Sequence, residues 1–316
     1  MNESNRKYLW QAILETGDQL KGKLPSHLNH PNGRNPYAHV SACVKEHFNC
    51  SYKDVPDDLL DDVLQYLDQL KKSYNAKDLF KLESEKRNPM LIIGHRGSSY
   101  DNGENTFGGI VSAIKAGVDG VEIDIRRSDD QLILLHDSTV NRTTNGYGLH
   151  KSYSFLSLRN LVCKNGERIP TLDEVMPLLL NTRYIFLEIK EPDTIEIIRP
   201  LLKKLPDEIK KNIFISSFDE QIIKIFQQCK RVNRALVTAI RSNDLMARCR
   251  ELNCSHIHVS FKIVDQKIVD DAHKNHLKVF VFTINGFFDL DLCLKLGVDG
   301  VFTDMPSEMF DALNEL

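Results

Sequence analysis

From about residue 90 onward the chain alternates short apolar runs with helical stretches: "MLIIGH", "GVEIDI", "LILLHD", "YIFLEIK", "NIFISSF", "ALVTAI", "HIHVSF", "KVFVFTIN" and "GVFTD". Strands separated by helix-length segments imply a parallel sheet with crossover helices. The reading is α/β, a (β/α)8 TIM-type barrel with a small helical domain or cap before it. Nine runs are one more than eight strands need, so one is expected to be a short terminal or paired extra. The link "RRSDDQ" between "GVEIDI" and "LILLHD" is too short for a helical crossover, which marks an irregularity there. "GVDGVEID" at 117–124 returns as "GVDGVFTD" at 297–304, each after an amphipathic run. Gly117 and Gly297 are therefore expected as left-handed helix caps before a tight turn into a strand. Asp124 and Asp304 hold equivalent places in this echo, which by itself makes neither catalytic.

Residues 1–89 read differently. "DVPDDLLDDVLQYLDQLKKSYN" has Asp54 as the expected N-cap, Pro56 in the first turn, and Leu60, Val63, Leu64, Leu67 and Leu70 on one stripe. "NPYAHVSACVKEHF" and "YLWQAILET" are two further expected helices, and "NAKDLFKLESEKRNP" is the expected connector. At 316 residues the chain suits one barrel of about 250 residues plus this accessory piece. The division is 1–89, a helical region of unknown role, and 90–316, the barrel. His39, Cys43, His47 and Cys50 could line one helix flank. Their spacing is unlike that of common zinc modules, and buried thiols are the favoured reading.

A formal charge of −3 with mixed signs excludes the basic field that nucleic-acid binding needs. No apolar run approaches the roughly 20 residues of a membrane span, and no stretch resembles a signal peptide. The expected location is cytoplasmic, without stable membrane insertion. Seven scattered cysteines, an odd number, fit reduced thiols better than a disulfide framework.

The chemistry concentrates where strands end. His95 and Arg96 follow one apolar strand and His136 follows another, and strand-to-helix loops of parallel folds gather on one face. Glu122 and Asp124 are two apart on a strand and share a face, as do Glu188 and Lys190. Charges buried in this way require a partner. A structural ion-pair network is one solution. The other is a divalent metal, for which three acids on two strands offer all-oxygen ligands suited to Mg2+ or Ca2+. Two imidazoles beside them suit a general acid and a general base. With Arg96 and Lys190 as cations, the set matches an anionic phosphate ester.

The ordered motifs "GHRG", "GENT", "EID", "LLHD", "RTTNG", "IPTLDEV", "LEIK", "SSF", "FTIN" and "GVDGVFTD" resemble the glycerophosphodiester phosphodiesterase family over about residues 90–310. The resemblance implies a (β/α)8 barrel that cleaves glycerophosphodiesters to glycerol 3-phosphate and an alcohol, using one divalent metal ion, Mg2+ or Ca2+, with Mn2+ a further candidate. It implies His95 and His136 as the acid–base pair, Glu122, Asp124 and Glu188 as metal ligands, and Arg96 and Lys190 as phosphate holders. Phe282 stands where the family commonly carries Trp and is the expected aromatic wall. Gly103 stands where it usually reads Pro, which implies a looser loop. The polar stretch Ser138–Glu167 is expected to form a compact lid or loop, with Phe155, Leu156 and Leu158 packed at the barrel rim or touching an acyl chain. A lysophospholipase D-type enzyme and a retired phosphoester-binding barrel are the alternative readings. Residues 1–89 are expected to serve self-association or a protein partner.

Overall fold

The computed structural model describes residues 2–21, 35–48, 50–75 and 90–315. The chain divides into two compact units, Met1–Ser84 and Glu85–Leu316. The first contains α1 (Glu3–Leu20), α2 (Pro36–Phe48) and α3 (Leu60–Asn75). Their apolar faces meet in a core that includes Leu9, Ile13, Val40, Val44, Val63 and Leu67, with Leu60, Leu64 and Leu70 packed against it. The leucine stripe of α3 is thus buried within its own unit.

Two helix starts differ from the sequence reading. α1 begins at Glu3, capped by Asn2, whose side chain accepts from the Asn5 N–H at 2.9 Å. Asp54 does not cap α3. Pro56 holds an extended conformation, and the helical path begins after it with a 3-10 turn at Asp57–Leu59. The Asp57 carboxylate instead accepts from the Asn2 N–H and from the Asn5 amide. In α2 the Cys43 sulfur lies 3.6 Å from His39 Nε2, while the His47 side chain and the 76–89 connector lie outside the described residues.

In the second unit the strands are β1 (Leu91–His95), β2 (Gly120–Ser128), β3 (Gln131–Leu134), β4 (Tyr184–Ile189), β5 (Ile213–Ser217), β6 (Asn233–Thr238), β7 (His256–Ser260), β8 (Lys278–Phe282) and β9 (Gly300–Thr303). All but β3 pair in parallel, and β1 bonds to both β9 and β2, which closes an eight-stranded barrel. β3 is the ninth run. It folds back antiparallel on β2 with Ser128 opposite Gln131, which is why six residues suffice to join them. The crossover helices are α4 (Phe107–Lys115), α5 (Leu172–Leu179), α6 (Ile195–Lys204), α7 (Glu220–Phe226), α8 (Leu245–Glu251), α9 (Gln266–Lys274), α10 (Phe287–Leu296) and α11 (Pro306–Glu315). Each follows its strand and covers the barrel wall. Residues 138–167 form a compact insertion with a small core of Val140, Leu158, Cys163 and neighbours; Phe155 packs on it, whereas Leu156 is exposed.

The repeated "GVDG" has a physical reason at each residue. Gly117 and Gly297 take φ of 82° and 74°, as left-handed caps. Asp119 and Asp299 then accept backbone N–H groups from the neighbouring strands, Ile92 at 3.1 Å and Val279 at 2.9 Å. Gly120 and Gly300 enter the barrel where aromatic side chains fill it. A methyl group on Gly300 would sit 2.5 Å from the Phe280 ring, and one on Gly120 would sit 3.1 Å from the Phe186 ring. Those rings, with Phe214, Phe302 and Ile93, form the barrel core.

Gly300→Ala is therefore expected to lower the unfolding free energy by about 1–3 kcal/mol through overpacking, read as a lower urea midpoint at unchanged slope. An unchanged midpoint would mean that the Phe280 ring yields freely and the glycine is not sterically required.

Candidate active site

The C-terminal ends of the barrel strands bring the sequence-predicted groups together. Asp124 of β2 is in register with Glu188 of β4, and Glu122 lies one inward step below. Potential ligand oxygens of Glu122, Asp124 and Glu188 all lie within 4.8 Å of one another. Glu122 and Asp124 are buried, at 3% and 1% exposure.

The β1–α4 loop is shaped around these acids. Arg96 has φ 56° and Asn105 φ 54°, left-handed conformations that non-glycine residues seldom hold. The first turns the Arg96 N–H onto Glu122 Oε2 at 2.9 Å. The second sets the Asn105 side chain against Asp124 at two points: its Nδ2 donates to Oδ2 at 2.7 Å, and its Oδ1 accepts from the Asp124 N–H at 3.0 Å. Gly97 allows the loop to fold this tightly, since a Cβ there would lie 2.6 Å from the Gly109 backbone of α4. Arg96 also donates to Glu104 at 3.0 Å and has its Nε 3.3 Å from Asp124. Lys190 forms ion pairs with Asp124 at 3.0 Å and with Glu188.

The three acids differ electrostatically. Burial, with the nearby charges of Asp124 and Glu188, pushes Glu122 well above the ordinary glutamate range. For Asp124 burial acts in the same direction, but Lys190 and Arg96 outweigh it and hold the carboxyl below its ordinary range. Glu122 Oε1 is buried without a hydrogen-bond partner. At Glu122, Arg96 and Lys190 oppose the rise without cancelling it.

Each histidine is held by a carboxylate. His95 Nδ1 lies 2.7 Å from Asp304 Oδ1, and Asp304 also accepts from Ser99 Oγ at 2.6 Å and Asn285 Nδ2 at 2.7 Å. His136 Nδ1 lies 2.6 Å from Asp137, which is clamped by Arg142 Nε at 2.7 Å. Arg142 reaches on to Glu104, the partner of Arg96, so one chain of charges runs from the first histidine loop to the second. In both rings the carboxylate contact is made by Nδ1 and not by Nε2. Phe282 ends β8, with its ring edge-on to that of Phe218 at 6.1 Å. Sequence reasoning singled out neither Asp304, Asp137, Glu104 nor Arg142 as a site residue. A signal existed for Asp304: the echo ends there, and closure of a barrel sets its last strand beside its first.

Residues 95–308 match the profile of the glycerophosphoryl diester phosphodiesterase family. The glycerophosphodiester phosphodiesterase of Caldanaerobacter subterraneus subsp. tengcongensis is 28% identical over 238 residues, 71% of this chain and 98% of its own. Glycerophosphodiester phosphodiesterase 1 of Homo sapiens is 32% identical over 167 residues, 49% of each chain. A phosphodiesterase from Oleispira antarctica, solved with the product sn-glycerol-3-phosphate, superposes with TM-score 0.66 at 26% identity, covering 71% of this chain and 96% of that one. With a closed barrel, and its histidines and acids gathered on one face, the chain belongs to the glycerophosphoryl diester phosphodiesterase family.

Proposed function

We propose that the chain hydrolyses glycerophosphodiesters to glycerol 3-phosphate and an alcohol, with His95 and His136 moving protons and Glu122, Asp124 and Glu188 holding one divalent metal ion. The observation that carries this reading is the pairing of two carboxylate-held imidazoles with three converging carboxylates on one barrel face. The donor set fits such an ion, because it offers only oxygen and leaves the buried Glu122 Oε1 without a partner. Mg2+ or Ca2+ suits it best, and Mn2+ is also within range. When bound, the ion polarises the phosphoryl oxygens. Arg96 and Lys190, already at the cluster, add positive charge for the same oxygens. Phe282 supplies an apolar wall for the glycerol or head group.

Burial depresses the His136 pKa against the raising influence of Asp124 and Asp137, so the ring is neutral near pH 7 and ready to accept a proton. In the proposed sequence it takes the proton of the glycerol hydroxyl next to the phosphoester as that oxygen attacks phosphorus. His95 gives its proton to the leaving alcohol, and Asp304 offsets the imidazolium charge. Water then opens the cyclic phosphate with the two roles exchanged. A lysophospholipase D-type activity is the second reading, favoured by apolar side chains exposed beyond the strand ends at Phe218 and Phe288, 52% and 83% exposed. A retired barrel is disfavoured because both imidazoles and all three acids are in place.

No helix among the described residues is long and apolar enough to cross a membrane. We place the protein in the cytoplasm, in keeping with its free thiols. We read residues 1–89 as a docking module for a protein partner or a second copy, because His95 is the first of the proposed site residues. A chain beginning near Arg87 is expected to keep the turnover number. Correct folding with lost turnover would place part of the site in the first unit.

Phosphorus NMR with glycerophosphocholine is expected to show glycerol 3-phosphate, with the 2-deoxy analogue cleaved far more slowly. His95→Ala or His136→Ala should lower kcat by roughly a hundredfold or more. Rapid turnover of the deoxy analogue would replace the cyclic route with direct attack by water. Turnover of lysophosphatidylcholine alone would favour the second reading, and turnover of neither would reject the enzyme assignment.

The raised Glu122 pKa also sets a pH dependence. In chelator, Glu122 binds its proton more tightly folded than unfolded, so stability falls as pH rises from the ordinary glutamate value towards the raised one. Glu122→Gln should flatten that slope and raise the melting temperature near pH 8 while abolishing the stabilisation by Mg2+ or Ca2+. A variant that melts lower than the parent in chelator would instead make Glu122 part of a structural ion-pair network.

A further inference from the structure

We propose that Cys249 and Cys254 are a thiol–disulfide modification site, closing an intramolecular disulfide across the C-terminus of α8. The site owes nothing to the catalytic reading and would stand without it. After Glu251 the chain ends the helix with Asn253 in the left-handed conformation, φ 51°. The Asn253 N–H donates to the Arg250 carbonyl and the Cys254 N–H to the Cys249 carbonyl, each at 2.9 Å. These are the two bonds of a Schellman cap, whose geometry brings the first and last of those side chains together, ordinarily as an apolar contact. Here the residues at those two positions are both cysteines. The backbone bond between the same two residues keeps their α-carbons close, as a disulfide requires.

The two thiols divide the chemistry. Cys249 is fully buried, while Cys254 is partly accessible. A small disulfide can reach only the accessible thiol, so Cys254 is the attacking sulfur and the buried Cys249 the resolving one. The neighbouring Cys249 thiol, with the Leu236 backbone and Arg234, also draws the Cys254 pKa below that of a free thiol against burial. By contrast, burial pushes Cys163 up to about 11 and Cys293 up to about 12, which leaves them as unreactive thiols.

The co-reactant is a low-molecular-weight disulfide. The Cys254 thiolate attacks one of its sulfurs, forming a mixed disulfide and expelling one thiolate. Cys249 then loses its proton and attacks Cys254 Sγ, expelling the second. The protein loses two S–H bonds and gains one S–S bond, and the small disulfide is reduced to two thiols. Cys254 precedes β7, at the strand ends opposite the carboxylates and histidines, so the reaction is expected to leave turnover unchanged.

The test is to equilibrate the full chain in a series of glutathione redox buffers, quench with acid, alkylate the free thiols and digest with trypsin. Cleavage after Arg248 and Arg250 separates the two cysteines. The expected product is Cys249–Arg250 joined to Glu251–Lys262, lighter by two hydrogens than the separate peptides and released by dithiothreitol. It should appear under less oxidising conditions than modification of any other cysteine. Cys249→Ser should stop Cys254 at the glutathione adduct. Alkylation of both cysteines throughout the series, or a glutathione adduct on Cys254 in the parent protein without the joined peptide, would overturn the proposal. Loss of turnover in the joined form would overturn its placement away from the reaction.

Discussion

Three carboxylates facing one another inside a barrel are the constraint to which the catalytic face conforms. Each buried charge costs several kcal/mol unless it is compensated, and Glu122, Asp124 and Glu188 share one neighbourhood. The first loop accepts two left-handed non-glycine residues so that a backbone N–H and a side-chain amide reach these acids. Arg96 and Lys190 are drawn in as counter-charges. Even so, one oxygen of Glu122 is left without a partner. The loop conformation, the cations and the raised Glu122 pKa all follow from the same electrostatic demand.

The barrel carries that demand by dividing its interior by height. The inward residues of β4 are Tyr184, Phe186 and Glu188, followed by Lys190, so one strand passes from aromatic core to charged site in alternate steps. Below Asp124 and Glu188, at the level of Glu122, Phe186 stacks on Phe214 at 4.5 Å, and Phe280 and Phe302 complete the layer. The two inward histidines of β7 belong there too. His256 and His258 pack among these rings, and burial lowers both, His256 to about 4, so they serve as neutral aromatic filling. The four imidazoles at 95, 136, 256 and 258 thus divide by depth. Those near the mouth have carboxylates on Nδ1, whereas His258 Nε2 is buried without a partner.

The nine strands were legible because an apolar run bounded by turn formers leaves a short segment few alternatives. Which of them was the extra could be read only as an irregularity, because "RRSDDQ" excludes a helix without saying that β3 turns back on β2. The acids were legible for a related reason, since the two-residue period of a strand fixes the face of each side chain, and the histidines because each follows an apolar run. Their holders were not. His95 and Asp304 lie 209 residues apart and meet only because β9 closes against β1, and pattern within one strand carries no information about its neighbours. The start of α3 was misjudged for a local reason, since Asp54 has the right chemistry for a cap but lies before a proline that keeps the backbone extended.

Gly103 illustrates how a departure from a family pattern can carry its own geometry. Proline holds φ near −65°, whereas Gly103 has φ 83° and ψ 129°, a conformation closed to proline. Hydrogen bonds nevertheless tie the loop down on both sides of Gly103. The Gly103 carbonyl accepts from Thr106 Oγ1 at 2.8 Å, and Asn165 of the insertion donates to the Asn102 carbonyl at 2.8 Å and to Thr106 at 3.1 Å. A side chain at 103 would press on Asn165, 3.1 Å away. The loop that turns Arg96 and Asn105 towards the acids is thereby tied to residues 138–167, with Glu104 and Arg142 joining the same two segments by charge. Between them lies a cavity of about 320 Å3, lined by Tyr100, Glu104, Arg142, Thr143 and Lys164 among others. The first loop and the insertion both line that cavity, and Arg142, which bonds to Glu104 across it, also holds Asp137, the carboxylate partner of His136.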